Sequence, residues 1–368
     1  MKKKVLICVP DLGICNGVTT CIMSFYECLL QHEYSIDFLV VMHEHMEMEP
    51  YVLERGSKVF KVPLGMKYDK KRVQYIDDVL RNGAYDMVHV NFLGPNGAMI
   101  LKMAKRYGVE HRIYHCHNPI NKLSLKAVLS ESIFTAVCRK RANKYVACSN
   151  SAGKAIFKNE KFEVVNNAIN PNDFVYNCEA RIRIRESLNI GNRLVIGVAA
   201  RMDAQKNPGF IIEVFSEMKK LREDAVLLWV GDGIQRKQIE ELCKDKKLQD
   251  SVFLVGRQSN MADWYSAMDL FLLPSKFEGL GIAYLEAQAN GLPCFGSDRV
   301  PEETQVTGLM HRISLDTGAG EWAIEMLRAY EAQQEKHKVD ISLFEKCGYD
   351  IRFVRNRLCD VYEACYNE

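Results

Sequence analysis

Short apolar runs rich in Val, Ile and Leu alternate along this chain with longer stretches in which apolar positions return at helical spacing. The runs read as strands buried on both faces, and the stretches between them as the helices that cover those faces. In the first half the pattern predicts strands near residues 4–10, 35–42, 57–62, 86–91, 112–116, 144–148 and 162–165. After Asn166 it breaks into a polar, Asn-rich segment, NNAINPNDF, and then a basic one, RIRIRESLNIGNR, which together read as a linker. The rhythm resumes with strands near 194–199, 225–230, 251–254, 269–273 and 292–296, a helix over 282–289, and helical segments over 317–333 and 341–366. This is the βαβ order of α/β proteins, so two doubly wound parallel-sheet domains are expected, with ligands at the C-terminal ends of the strands. The expected boundaries are 1–170 and 171–348, with 349–368 a terminal helix returning to the first domain.

A chain of 368 residues suits two domains, and 48% hydrophobic residues supply two cores. No apolar stretch approaches 18 residues, and Met1-Lys2-Lys3-Lys4 runs directly into the strand-like VLICVP rather than a signal peptide, which points to the cytoplasm. The formal net charge of +2 argues against general nucleic-acid binding. Thirteen cysteines are scattered through apolar segments with no C-x-x-C pair, so they read as reduced core residues; neither disulfides nor zinc are implied.

The candidate chemistry concentrates in FEGLGIAYLEAQANGLPCFGSD, residues 277–298. An apolar strand ends at Pro274, and the apolar run from Ile282 to Ala289 then reads as a helix whose first turn contains Gly279, Leu280 and Gly281. The N–H groups and positive dipole end of such a helix can hold a diphosphate where small residues allow close approach. Glu278 precedes the helix, near whatever extends beyond the phosphates. Glu286 lies more than a turn inside it and could accept from two vicinal ribose hydroxyls. The alternative for both is a pair of solvated surface glutamates.

Taken with GVAARMDAQKNP at 197–208, YHCHNP at 114–119 and Cys148-Ser149-Asn150, this block resembles the E-x7-E signature of retaining GT-B glycosyltransferases of family 4, which includes bacterial capsule and exopolysaccharide enzymes. The resemblance covers nearly the whole chain. It implies a GT-B fold, two Rossmann-like domains facing a central cleft, with acceptor bound by the first and nucleotide sugar by the second. Arg201 and Lys206, five residues apart at a strand end, would stabilise the charge that develops on the β-phosphate as the sugar leaves. Glu278 and His117 would contact sugar hydroxyls, although His117 by itself also reads as a loop histidine satisfied by backbone. The resemblance also implies donor contact at Gly17 and acceptor contact at Asn16, both in the turn after the first strand, and acceptor contact at Asn118 beside His117. Asn16-Gly17 departs from the two adjacent glycines usual in the family, which puts a side chain where backbone would otherwise approach.

A UDP-hexose or UDP-N-acetylhexosamine is the expected donor and a glycan or lipid-diphosphate-linked oligosaccharide the expected acceptor. Metal dependence is not expected, since no D-x-D motif occurs and Glu47-Met48-Glu49 is a poor substitute. The stretch from Lys102 to Lys144 is rich in Lys and Arg, interleaved with Leu123, Leu125, Val128, Leu129, Ile133 and Phe134. It reads either as a solvated basic face above a buried stripe or as a docking surface for anionic lipid. Rival readings are a nucleotide-sugar 2-epimerase of the same fold, a phosphorylase-type enzyme, for which the chain is short, and a silent subunit that binds nucleotide sugar.

Overall fold

The computed structural model describes residues 2–14, 17–43, 45–65, 69–118, 125–332 and 337–367, with only the backbone at 125–127. The chain divides into two compact units, one formed by Met1–Ala168 with Ile351–Glu368 and the other by Ile169–Asp350.

The first unit carries β1 (Lys3–Val9), β2 (Tyr34–Val40), β3 (Val59–Lys61), β4 (Met87–Val90), β5 (His111–Cys116), β6 (Lys144–Ala147) and β7 (Glu163–Val164). They form one parallel sheet in the order β3-β2-β1-β4-β5-β6-β7. Side chains alternate across a strand, so β1 sends Leu6 and Cys8 into one core and Val5, Ile7 and Val9 into another. That two-sided burial is why the strands read as unbroken apolar runs. The second of these cores is completed by Leu358, Cys359, Tyr362 and Cys365 of the helix Arg357–Asn367.

The single helix expected over 341–366 is instead three, Ser342–Lys346, Ile351–Val354 and Arg357–Asn367. Gly348 ends the first by turning to φ 74°. Its N–H then bonds Glu345 O, and the N–H of Tyr349 bonds Phe344 O, the paired closure that a left-handed glycine permits.

The second unit carries β8 (Val195–Ala199), β9 (Val226–Val230), β10 (Val252–Gly256), β11 (Leu270–Leu273), β12 (Cys294–Ser297) and β13 (Met310–Ile313), parallel and in the order β10-β9-β8-β11-β12-β13. β13 escapes the apolar pattern because it is an edge strand, MHRI, whose His311 and Arg312 are exposed. The basic segment expected as linker is the helix Cys178–Ser187, part of this unit's core. Arg181 and Arg185 each donate to the buried Asp269 at 2.7 Å, and Val195 N–H adds a third bond at 2.8 Å. Burial pushes the Asp269 carboxyl up, but Arg185 and Arg181 outweigh it and hold the group below its ordinary range.

In each sheet the strand order reverses once, between β1 and β4 and between β8 and β11. Loops leaving the C-terminal ends of such strands diverge to opposite faces and leave a crevice between them.

Candidate active site

At the reversal in the second sheet, the loop after β8 and the loop after β11 are stitched together. Lys276 N–H donates to Gln205 O at 2.8 Å, and Gln205 Nε2 donates to Phe277 O at 3.1 Å. The Lys206 ammonium reaches Glu278 Oε1 at 2.5 Å. The same oxygen accepts from Ser275 Oγ at 2.6 Å, while Gln205 Nε2 approaches Oε2 at 3.3 Å. The Glu278 and Lys206 side chains are only 5% and 16% exposed, so each charge depends on the other for compensation. Arg201 differs, since its side chain is 61% exposed and lies 3.2 Å from Asp203 Oδ2. The β8 loop is further fixed by the turn after β9, where Gly231 at φ 133° packs so closely that a Cβ would stand 2.1 Å from Ala200 O. Met202 N–H donates to Asp232 O in that contact.

The β11 loop passes through Gly281, at φ 86°, into the helix Ile282–Ala289, which opens without a side-chain cap. A Cβ at Gly281 would stand 2.7 Å from the Tyr284 ring, so glycine is required by backbone and space alike. Gly279 and Leu280 are buried, and Leu280 points into an apolar cluster with Leu285 and Ala289. Leu280 can therefore offer a ligand only its backbone. Glu286, on the fifth residue of the helix, accepts from the Tyr265 hydroxyl at 2.7 Å. Burial raises its carboxyl from the ordinary 4.5 to about 7, with the Tyr265 hydrogen bond pulling the other way.

In the first unit, His117 lies just past β5 and is buried. Its Nε2 is 3.0 Å from Asn91 Oδ1, and Asn91 Nδ2 is committed to Cys8 O and His89 O, both at 3.3 Å. The Asn91 oxygen can only accept, so the His117 proton is on Nε2 and Nδ1 presents a bare lone pair. No hydrogen bond of ordinary length reaches that Nδ1 among the described residues, although the Asn167 side chain lies close enough to interact with the ring. Burial lowers the His117 pKa to about 3, against an opposing pull from Asn167, so the ring is neutral. Behind it stand His115, whose ring centroid is 4.0 Å away, and His89, whose Nε2 is 3.1 Å from His115 Nδ1. The Tyr362 hydroxyl closes the column at 2.7 Å from His89 Nδ1.

Residues 15–173 match the family model described as Glycosyltransferase Family 4, and residues 180–338 match Glycosyl transferases group 1. The chain belongs to glycosyltransferase family 4. This transferase is 28% identical to EpsF of Bacillus subtilis strain 168, itself assigned as a glycosyltransferase, over 94% of this chain and 93% of EpsF. It is 25% identical to the Escherichia coli UDP-Gal:alpha-D-GlcNAc-diphosphoundecaprenol alpha-1,3-galactosyltransferase over 79% of this chain and 78% of that one. Among solved structures it is similar to Anabaena Alr3699/HepE in complex with UDP and glucose, with a TM-score of 0.78, 15% identity, and coverage of 98% of this chain and all of HepE. The two parallel α/β units are those of the GT-B fold.

Of the residues expected in the transferase's site, the structure brings Lys206 and Glu278 into direct contact and puts Gly279, Leu280, Gly281 and Glu286 on the same connection and helix. Arg201 stands apart from this pair, on the same loop as Lys206 but directed to Asp203. Gly17 opens the helix Gly17–Gln31 and is exposed, and Asn118 is partly exposed beside His117. Asn16 lies outside the described residues. Ser275, Gln205, Tyr265 and Asn91 were not anticipated. Ser275 and Gln205 neighbour predicted residues, and Asn91 ends a predicted strand, but nothing in the linear pattern links Tyr265 to Glu286.

The buried stripe expected in the basic region is partly outside. Leu129 and Ile133, one turn apart on the helix Leu125–Arg141, are 65% and 54% exposed, and Arg139, Lys140 and Arg141 form its last turn. Leu123 and Lys122 lie outside the described residues, as do the side chains of Leu125 and Lys126. No described helix is long and apolar enough to cross a membrane.

Proposed function

We propose that this family 4 transferase moves a hexose or N-acetylhexosamine from its UDP ester to a glycan or lipid-diphosphate-linked acceptor, retaining the anomeric configuration, in assembly of a bacterial capsular or exopolysaccharide. The observation that carries this reading is the buried Lys206–Glu278 pair beside the glycine-bracketed start of the helix that carries Glu286. The diphosphate sits at that helix start, with N–H groups and the dipole facing it. Glu286 accepts from the two ribose hydroxyls, and Glu278 accepts from hydroxyls of the transferred sugar.

The bond between the anomeric carbon and the β-phosphate oxygen breaks, and the phosphate keeps the electron pair. Lys206 and the exposed Arg201 stabilise the charge as it grows, and a divalent cation is not needed there. The acceptor hydroxyl attacks the same face of the sugar, and its proton passes to the departing phosphate oxygen. In the first unit, Nδ1 of His117 is an acceptor for a ligand hydroxyl, Gly17 at the start of its helix and Asn118 beside His117 are further contact candidates, and Asn16, outside the described residues, is a candidate on the family resemblance alone. The E. coli relative's name gives it a UDP-galactose donor and a lipid-diphosphate acceptor, which favours the same classes here. Exposed Leu129 and Ile133, on a helix whose last turn is Arg139, Lys140 and Arg141, support docking on the anionic cytoplasmic face of a membrane, where such an acceptor resides.

The test is a thermal-shift panel of UDP, GDP, ADP and their sugars with and without Mg²⁺, followed by NMR of the product's anomeric proton. A ligand at a hundred times its dissociation constant adds about 2.7 kcal/mol of stability. Selective stabilisation by UDP that is indifferent to Mg²⁺, and an α-linked product from an α-linked donor, are expected. Selective binding of GDP, an absolute need for Mg²⁺, or an inverted product would each overturn the corresponding part.

A further inference from the structure

Cys28 lies in the last turn of the helix Gly17–Gln31, and His32 follows four residues later, which sets the two on one face. The helix Arg357–Asn367 lays Cys359 against them, although it lies 331 residues beyond Cys28 in sequence. The Cys28 and Cys359 sulfurs are 3.3 Å apart, and Cys28 Sγ is 3.6 Å from His32 Nδ1 and 3.0 Å from Asn356 Oδ1. Ligand atoms from Cys28, His32 and Cys359 all fall within 4.8 Å of one another. Both thiols are buried while His32 is exposed, so the group has an open side. All three belong to the first unit, and the transfer chemistry uses none of them.

We propose that Cys28, His32 and Cys359 form a zinc site that fastens the helix Arg357–Asn367 to the helix Gly17–Gln31. Two thiolates and an imidazole are a donor set suited to this ion. With Zn–S near ~2.3 Å and Zn–N near ~2.0 Å, tetrahedral ligands stand about 3.5–3.8 Å apart. The Cys28–His32 distance already meets this, and the two sulfurs need to separate by about half an ångström, within reach of a small side-chain rotation. The fourth position falls to Asn356 Oδ1 or to water on the open side. Binding expels one proton from each thiol as its sulfur takes up the ion, so two protons leave per zinc and affinity rises with pH. His32 Nδ1 bonds the Cys28 carbonyl at 2.8 Å and exchanges that bond for the metal. The terminal helix also carries Tyr362, which anchors the histidine column at His89, so the ion would steady both contacts of that helix. Linear spacing could not reveal the site, because it contains no C-x-x-C pair.

The test uses the full chain under reducing conditions, in a Cys178→Ser, Cys347→Ser background that removes the thiols exposed among the described residues. Cobalt(II) titration is expected to give thiolate-to-metal charge-transfer bands that saturate at about one equivalent, reversed by zinc, together with a higher melting temperature in zinc. Cys28→Ser with Cys359→Ser is expected to weaken zinc binding by at least about a hundredfold against a chromophoric chelator, and His32→Ala by about tenfold. His32 is exposed, so its variant keeps the fold and supplies the deciding measurement should the double variant not fold. Unchanged cobalt spectra and zinc affinity in His32→Ala would overturn the proposal. So would a parent protein whose thiols pair as a disulfide, seen as a mass loss of ~2 Da, and take up no metal.

Discussion

Raising the pH from 6 to 8 is expected to tighten donor binding about tenfold, through Glu286. Burial lifts this carboxyl to about 7. In the role proposed for Glu286, only the ionised form accepts from both ribose hydroxyls, so the apparent donor KM should scale inversely with the ionised fraction. A pKa of about 7 makes that fraction ~0.09 at pH 6, ~0.5 at pH 7 and ~0.9 at pH 8. The assay is initial rate against donor concentration at saturating acceptor, with kcat extracted separately at each pH. Glu286→Gln cannot ionise, so its donor KM is expected to be high and flat over the same range.

The same group links to stability with the opposite sign. Its folded pKa lies above the ordinary 4.5, so its contribution is fully present below about 4.5 and is lost as pH rises through about 7. The difference of about 2.5 units corresponds to roughly 3 kcal/mol. Glu286→Gln is therefore expected to melt above the parent at pH 8 and close to it at pH 5, when no nucleotide is added. A donor KM that changes less than twofold between pH 6 and 8 in the parent would refute the reasoning.

Lys206→Ala and Arg201→Ala are both expected to lower turnover by about 10²-fold, the scale of one lost charge stabiliser. Only Lys206→Ala should also cost stability, about 2–4 kcal/mol, because it strips the buried Glu278 of its cation while exposed Arg201 can be removed within about 0.5 kcal/mol; equal denaturant midpoints would contradict this. Asn91→Ala frees His117 from its single tautomer, and we expect an approximately tenfold fall in kcat, with long-range ¹⁵N–¹H spectra of the imidazole changing from a pure Nε2–H pattern to a mixture. An unchanged spectrum would show that Asn91 does not set the proton.

The parallel-sheet architecture was legible because strands buried on both faces leave apolar runs that local pattern exposes, and β1 and β11 are plain examples. The helix Ile282–Ala289 was legible for a related reason, an apolar run after a glycine, but Gly279 and Leu280 precede it rather than forming its first turn, because Gly281 takes a left-handed angle that ends the loop there. Edge strand β13 and the break at Gly348 were missed because one lacks an apolar face to signal it and the other rests on a single backbone angle. The basic helix Cys178–Ser187 read as linker since its arginines look solvated until Asp269, more than eighty residues later, is seen between them. The site divides in the same way. Lys206 and Glu278 were each recognisable from local motif, but their pairing across 72 residues, and the Tyr265 and Asn91 contacts, depend on which loops the sheet order brings together.

The return of residues 351–368 to the first sheet has a consequence for biosynthesis. A ribosome delivers β1 to β7 early, yet Leu358, Cys359 and Tyr362, which cover one face of that sheet, emerge only after the entire second unit. The first unit made is thus the last that can finish folding. Until then Val5, Ile7, Met87 and Ile113 lack part of their cover, and the nascent chain carries an apolar face of the kind that chaperones bind. The second unit, Ile169–Asp350, is contiguous in sequence and faces no such delay.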